Sequence, residues 1–383
     1  MNMKKLLALG LAIVMVFALV ACTKTEKKPD PTAANPDNPG TVASDLNVGV
    51  FYYTYDDAYI SSVRTALDAA LTGKGIAYTN YNCNNDQGTQ NTSIQTALTN
   101  GANLLIVNLV TSGSADAAQA IVDMANGVPV IFFNRAVDDA DAGDPTLKAN
   151  DKICFIGTDA PEAGHLQGKM VADYLLANYD SVDLNGDGKI SYAMFKGEEG
   201  NAEAIARTQY GVEDANNGLT GAGKPELEYF NPSISDKYQV DLTGSWSAQA
   251  AVDYMNTNLA QYNESNNNMI ELVICNNDGM AEGVVSALQA AGFNNGKGKT
   301  IPVFGVDATD TAKELISQGY MTGTVKQDAD GMAKAIAETA ASIGAGSTVT
   351  DSVSTAAATG DNFSIAEGVA NKLYVAYAPY LGE

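Results

Sequence analysis

Four short polar side chains of related chemistry, Asp57, Asn108, Asn277 and Asp307, follow apolar runs. Carboxylates and amides bond in a plane, so several together suit a ligand covered in hydroxyls. Arg207 adds a guanidinium on the helix-like stretch after Asn201. Trp246, the one tryptophan, lies in a polar stretch, Thr243-Gly244-Ser245-Trp246-Ser247. Such a ring could cover the C–H face of a cyclic ligand, or it could equally plug a helix start. More polar residues gather at other run ends: Tyr55-Asp56-Asp57, Asn134-Arg135, Gly157-Thr158-Asp159, Gly197-Glu198-Glu199-Gly200-Asn201 and Gln327-Asp328. Asp159 with Glu162 reads as a helix capping box and is given no ligand role. The remainder exceed what capping requires and describe a polar crevice.

A second chemistry is written in Asp183-Leu184-Asn185-Gly186-Asp187-Gly188-Lys189-Ile190-Ser191. Asp183, Asn185 and Asp187 occupy the first, third and fifth positions of a calcium loop, with Gly186 sixth. The Lys189 carbonyl is seventh and Ser191 ninth. The twelfth position is Met194, and the following residues read as a strand, so a bidentate carboxylate would have to come from elsewhere. The alternative is a polar Asx turn without metal.

The elements that must position these groups are apolar runs at 48–53, 104–110, 128–133, 153–156, 190–195, 272–275, 301–306 and 373–376. Helix-like stretches lie between most of them, at 58–71, 93–100, 115–126, 162–177, 202–216, 247–258, 279–291 and 331–343. Continuously apolar strands alternating with helices predict α/β sheets, parallel and covered on both faces. There are too many for one ordinary sheet, so two doubly wound lobes are expected. In such sheets ligands sit at the carboxyl ends of the strands, where the polar residues gather.

The 383-residue chain opens with Lys4 and Lys5 and an apolar run over 6–21, a secretion signal by its length and flanks. It ends in Leu19-Val20-Ala21-Cys22, the form of a lipobox, which makes residues 1–22 a lipoprotein signal and Cys22 the lipidated residue. Residues 23–45 hold almost no large apolar side chain and read as a disordered tether. No later run is long enough to span a bilayer. The net charge of −23 argues against nucleic acid as a partner. Cys83, Cys154 and Cys275 have no metal or disulfide spacing and read as free thiols. His165 is the single histidine, which excludes His-dependent triads.

From residue 46 onward the chain resembles the periplasmic galactose/glucose-binding protein family, type I sugar-binding components of ABC transporters. The likeness is carried by Tyr55-Asp56-Asp57-Ala58-Tyr59, Asn84-Asn85-Asp86-Gln87, Val107-Asn108-Leu109-Val110, Phe132-Phe133-Asn134 and the 183–190 loop. It continues through Lys196-Gly197-Glu198, Ala206-Arg207-Thr208, Asn276-Asn277-Asp278 and Pro302-Val303-Phe304-Gly305-Val306-Asp307. The resemblance implies two lobes on a three-stranded hinge, here 46–128 with 328–361 and 129–327 with 362–383. It implies a monosaccharide clamped between them. Asp57, Asn108, Arg207, Asn277 and Asp307 match hydrogen-bonding positions of the family, Trp246 one stacking plate and Tyr59 the other, where better-known members carry phenylalanine. Asn201 stands at a histidine position, Glu203 at an aspartate position and Gln327 at an asparagine position, which leaves the sugar open: glucose, galactose, another pyranose or a pentose. Glu271 stands where the family has the remote calcium ligand, giving a structural calcium held by Asp183, Asn185, Asp187, Lys189, Ser191 and Glu271. The implied partners are an ABC permease and a chemoreceptor, for a monomer lipid-anchored through Cys22 on the extracytoplasmic face.

The rival from another class is an exported carbohydrate-active enzyme using Asp57 and Asp307 as its carboxylate pair. Carboxylates beside Arg207 are expected to stay ionised, which suits accepting from hydroxyls and not acid catalysis. A binding protein, not an enzyme, is therefore expected.

Overall fold

The computed structural model describes residues 45–139, 142–266 and 268–382. The expected signal, Cys22 and all but the last residue of the tether lie outside the described residues.

The first sheet runs β2 (Ala77–Asn82), β1 (Asn47–Tyr52), β3 (Leu104–Val107), β4 (Val130–Phe133), β5 (Ile153–Gly157), all parallel. It is extended by β13 (Lys372–Val375), parallel to β5, and by the antiparallel edge strand β12 (Phe363–Ile365). In the second sheet β6 (Ser191–Lys196), β9 (Leu272–Cys275), β10 (Val303–Asp307) and β11 (Gly323–Lys326) are parallel, and antiparallel β14 (Ala378–Tyr380) closes the edge. Two short strands, β7 (Glu228–Tyr229) and β8 (Gln239–Val240), both pair with β6. Runs such as Leu104–Val107 and Leu272–Cys275 are buried at every residue, as strands covered on both faces must be.

The helices of the first body are α1 (Ala58–Gly73), α2 (Gln87–Thr99), α3 (Ala115–Ala125), the short α4 (Pro145–Ala149), α10 (Ala329–Gly344) and α11 (Val349–Ala357). The second body has α5 (Ala160–Val182), α6 (Ala202–Gly221), α7 (Ala248–Gln261), α8 (Asp278–Ala290) and α9 (Asp310–Ser317). Each sheet has its own apolar core. Each also reverses strand order beside its first strand, at β1/β3 and β6/β9, the switch point where open α/β sheets leave a crevice.

The chain passes between the two cores three times: from β5 to α5, from β11 to α10 and from β13 to β14. The lobe boundaries differ from those expected. Residues 129–157 and 362–375 belong to the first body, because β4 pairs with β3, β5 with β4 and β13 with β5. An apolar run announces a strand but not the sheet it joins. The sequence reading also missed β2, whose alternating, half-exposed Ala-Tyr-Thr-Asn-Tyr-Asn is the pattern of an edge strand.

Candidate functional site

Three of the polar residues after the strands begin helices. Asp57 Oδ1 accepts from the Ile60 amide at 2.8 Å, Asn277 Oδ1 from Met280 at 2.9 Å, and Asn201 Oδ1 from Glu203 and Ala204 at 2.9 and 3.2 Å. They are N-caps of α1, α8 and α6. Each keeps a second polar atom: Asp57 Oδ2 accepts from the Tyr53 hydroxyl at 2.8 Å, and Asn201 Nδ2 donates to Glu198 at 3.1 Å. The capping role explains their position, and their place on the wall of a shared cavity adds a second one.

That cavity, about 40 Å³, lies between the two bodies and is lined by Asp57, Tyr59, Asn201, Glu203, Arg207, Trp246, Asn277, Asp307 and Gln327. Nine of the ten expected binding positions thus converge. Asn108 does not reach it: fully buried behind the wall, it donates to the Phe133 carbonyl at 3.1 Å and to Asn134 Oδ1 at 3.2 Å. It therefore positions Asn134, which does line the cavity together with Tyr53 and Arg135. Those three were absent from the expected site, although Asn134-Arg135 stands directly after β4.

Arg207 is the hub. It donates to the Asn276 carbonyl at 2.9 Å, Glu203 at 2.9 Å, Gln327 Oε1 at 3.1 Å and the Tyr377 hydroxyl at 2.8 Å. Tyr377, just before β14 on the third crossing segment, in turn donates to Glu203 at 2.8 Å. It stands directly after the apolar run 373–376, the same signal that marked the other strand-end residues, and was not among the expected positions. Arg207 Nε and Gln327 Nε2 are buried donors with no protein acceptor. A buried unpaired donor costs about 1–3 kcal/mol, so two on one cavity wall favour a ligand bearing acceptors.

Trp246 is buried on the wall, its φ is 56°, and its Nε1 donates to Glu198 at 3.4 Å. The ring lies on Gly197: a Cβ there would sit 2.1 Å from ring carbons. Glycine at 197 is therefore a requirement of the plate, and the core-plug alternative gives way to a wall position. Tyr59, buried on the first body, directs its hydroxyl at the Met332 sulfur, 3.6 Å away.

At the end of β10, Asp307 has φ 131° and Ala308 φ 57°, sparsely populated values for residues with a Cβ. Burial pushes the Asp307 carboxyl well above the usual range, with Asp278 and Asp57 adding to the rise and Arg207 opposing it. For Asp307 desolvation outweighs the guanidinium, against the expectation that Arg207 would hold it readily ionised. Asp278, behind it, is raised to about 7 by burial, although it accepts from Thr324 at 2.6 Å and the Thr309 amide at 2.8 Å. The expected capping box is also corrected. Asp159 makes no side-chain cap bond, and Glu162 accepts from the Tyr377 amide at 3.3 Å.

The two bodies are latched. Arg135 donates to both Glu198 oxygens at 2.7 and 2.9 Å, while Leu109 and Val110 carbonyls hold its guanidinium from its own side. Asn85 Nδ2 donates to the Thr243 carbonyl at 2.9 Å across the same cleft.

The 183–191 loop lies apart. Asp183 accepts from the Gly186, Asp187 and Gly188 amides, and Asn185 and Asp187 cap amides two residues on. Glu271 is fully buried, and its two oxygens accept from Leu184, Asn185 and Ser191 amides. Burial raises its pKa, with Asp183 adding to it. Among the described residues no three His, Cys, Asp or Glu side chains are gathered as a ready metal site.

Two doubly wound bodies crossed three times, with polar strand ends closing on one cavity, define a solute-binding protein. Residues 48–348 match the periplasmic binding protein domain family, and the chain belongs to it, a family of binding proteins and not of enzymes. Over 313 residues it is 34% identical to the D-galactose/methyl-galactoside binding periplasmic protein MglB of Haemophilus influenzae, covering 81% of this chain and 85% of that protein. An ABC transporter solute binding protein from Bacillus halodurans with bound myo-inositol shares the fold, with TM-score 0.64 and 22% identity over 88% of this chain and 95% of that one. So does a solute binding protein from Clostridium phytofermentans with bound β-D-glucose, with TM-score 0.63 and 19% identity over 87% and 93%.

Proposed function

We propose that this chain captures a monosaccharide of the galactose/glucose type between its two bodies and hands it to an ABC permease on the extracytoplasmic side. The observation that carries this reading is the cavity wall. Planar carboxylate, amide and guanidinium groups line it together with the rings of Trp246 and Tyr59, and two buried donors there have no acceptor in the protein. Its similarity to a galactose-binding relative supports the hexose.

The ligand enters an opened form, and its contacts with both bodies favour closing. Arg207 and Gln327 supply donors from the second body, Asp57 an acceptor from the first, and Trp246 and Tyr59 cover the ring faces. The permease then meets the closed shape. We further propose a calcium ion at the 183–191 loop, held by Asp183, Asn185, Asp187, the Lys189 carbonyl, Ser191 and Glu271. Its support is the calcium-loop spacing of Asp183, Asn185, Asp187 and Ser191, with the fully buried Glu271 held against that loop by the Leu184, Asn185 and Ser191 amides. The lipobox at Leu19-Val20-Ala21-Cys22 supports a lipid anchor on Cys22. No described helix is long and apolar enough to cross a membrane.

Titration calorimetry of the purified protein with glucose, galactose, xylose, ribose and arabinose tests the reading. Tight binding of a hexose is expected. Binding of a pentose alone moves the specificity, and binding of none of them overturns the function.

A further inference from the structure

Beside the ligand cavity, and sharing Asn134, Asn201 and Glu203 with it, lies a second chamber of about 430 Å³. The shared residues come from both bodies: Asn134 follows β4 of the first, and Asn201 and Glu203 begin α6 of the second. Glu203 is fixed by Thr158, Arg207 and Tyr377 at 2.7, 2.9 and 2.8 Å. Asn134 and Asn201, one from each body, line both spaces, so a substituent on a ring held in the first cavity is directed past them toward the second.

We infer that this chamber seats the substituent of a glycoside, a neutral second ring attached to the sugar of the main cavity; this rests on the sugar reading above. The walls suit a ring. Phe155, Tyr210 and Tyr374 line the chamber with Gln209 and Ser112, and Ile205 on α6 leaves 41% of its surface exposed there. An exposed isoleucine flanked by aromatic rings offers the C–H face of a second ring the burial the main cavity gives the first. The charges exclude an acidic substituent. Asp138, Asp139, Asp144, Asp159 and Glu203 line the chamber against one cation, Lys372, which Asp144 already holds at 2.8 Å. An anion here would meet like charges in a partly desolvated space.

The test is calorimetry with glucose and galactose, their methyl and phenyl glycosides, the disaccharides lactose, melibiose, cellobiose and maltose, and phenyl glucuronide. At least one neutral glycoside carrying a second ring, a phenyl glycoside or a disaccharide, is expected to bind within about tenfold of its parent sugar, and the glucuronide at least about a hundredfold more weakly. The methyl glycosides, which carry no second ring, serve as the reference. Ile205→Trp, and separately Gln209→Trp at another exposed position, should fill the chamber. Each should weaken the glycoside by about tenfold or more and leave the free sugar within about twofold. Free sugars that bind while every phenyl glycoside and disaccharide is more than about tenfold weaker would overturn the chamber and leave the sugar site standing. Equal losses for sugar and glycoside in both tryptophan variants would also overturn it. If no free sugar and no glycoside binds, the sugar reading fails, and the chamber with it.

Discussion

At the scale of single residues, several of the proposed binding positions also cap helices, which changes how they are tested. Asp57 caps α1 and anchors Tyr53, so Asp57→Ala removes a cap worth about 1 kcal/mol as well as a ligand acceptor. Asp57→Asn keeps an oxygen for the cap, and it should weaken sugar binding by at least about tenfold with little change in Tm. Gly197→Ala reaches the site without touching it: the added Cβ displaces the Trp246 ring. It should match Trp246→Ala in loss of affinity, with the far-ultraviolet circular dichroism unchanged; wild-type affinity in either variant would remove Trp246 from the site. Asp278 carries a pH signature. Its carboxyl titrates near 7 when folded and near 3.9 when unfolded, so from about pH 4 to 7 the native state holds a proton that the unfolded chain releases. Stability from this group is full below that window and lost as pH rises through it. Urea unfolding should show wild type losing stability relative to Asp278→Asn between pH 4 and 7, and a constant difference would refute the shift.

Among the elements, strand ends and helix starts build the site, and loops secure the bodies. The 183–191 turn enters β6 beside Glu271, which precedes β9, so the turn is tied to two adjacent strands of the second sheet. An ion there would act on stability and not on ligand contacts. Calcium should raise Tm, chelation should lower it, and Glu271→Gln should abolish the difference; a Tm blind to calcium and chelator would count against the metal.

For the whole molecule, the closed shape is held by Arg135–Glu198 as well as by any ligand. Arg135 is almost wholly buried, so breaking the pair strands its charge. Glu198→Gln should shift the unliganded protein toward an open form, seen as a larger radius of gyration in small-angle scattering, and restored by saturating sugar. Affinity should fall as well, because closure is taxed and because Glu198 also accepts from Asn201 and Trp246 on the cavity wall. An unchanged radius would show that the latch does not set the closed population.

Much of this molecule was legible in its residues. Continuous apolar runs alternating with helices announced doubly wound sheets, since a strand buried on both faces has no polar side to show. Nine cavity residues were marked by their place after those runs or by matching the family's motifs, because a parallel sheet delivers its strand ends to one edge. What only the tertiary structure decided was long-range: which sheet β4, β5 and β13 join, that Asn108 stands behind the wall, and that Tyr377 reaches Arg207 from the third crossing. Pairing partners and burial depend on segments far apart in the chain, and local pattern carries no record of that distance. The upward shift of the Asp307 pKa belongs to the same class. Its neighbours could be guessed, but the loss of water that outweighs Arg207 exists only once the two bodies close.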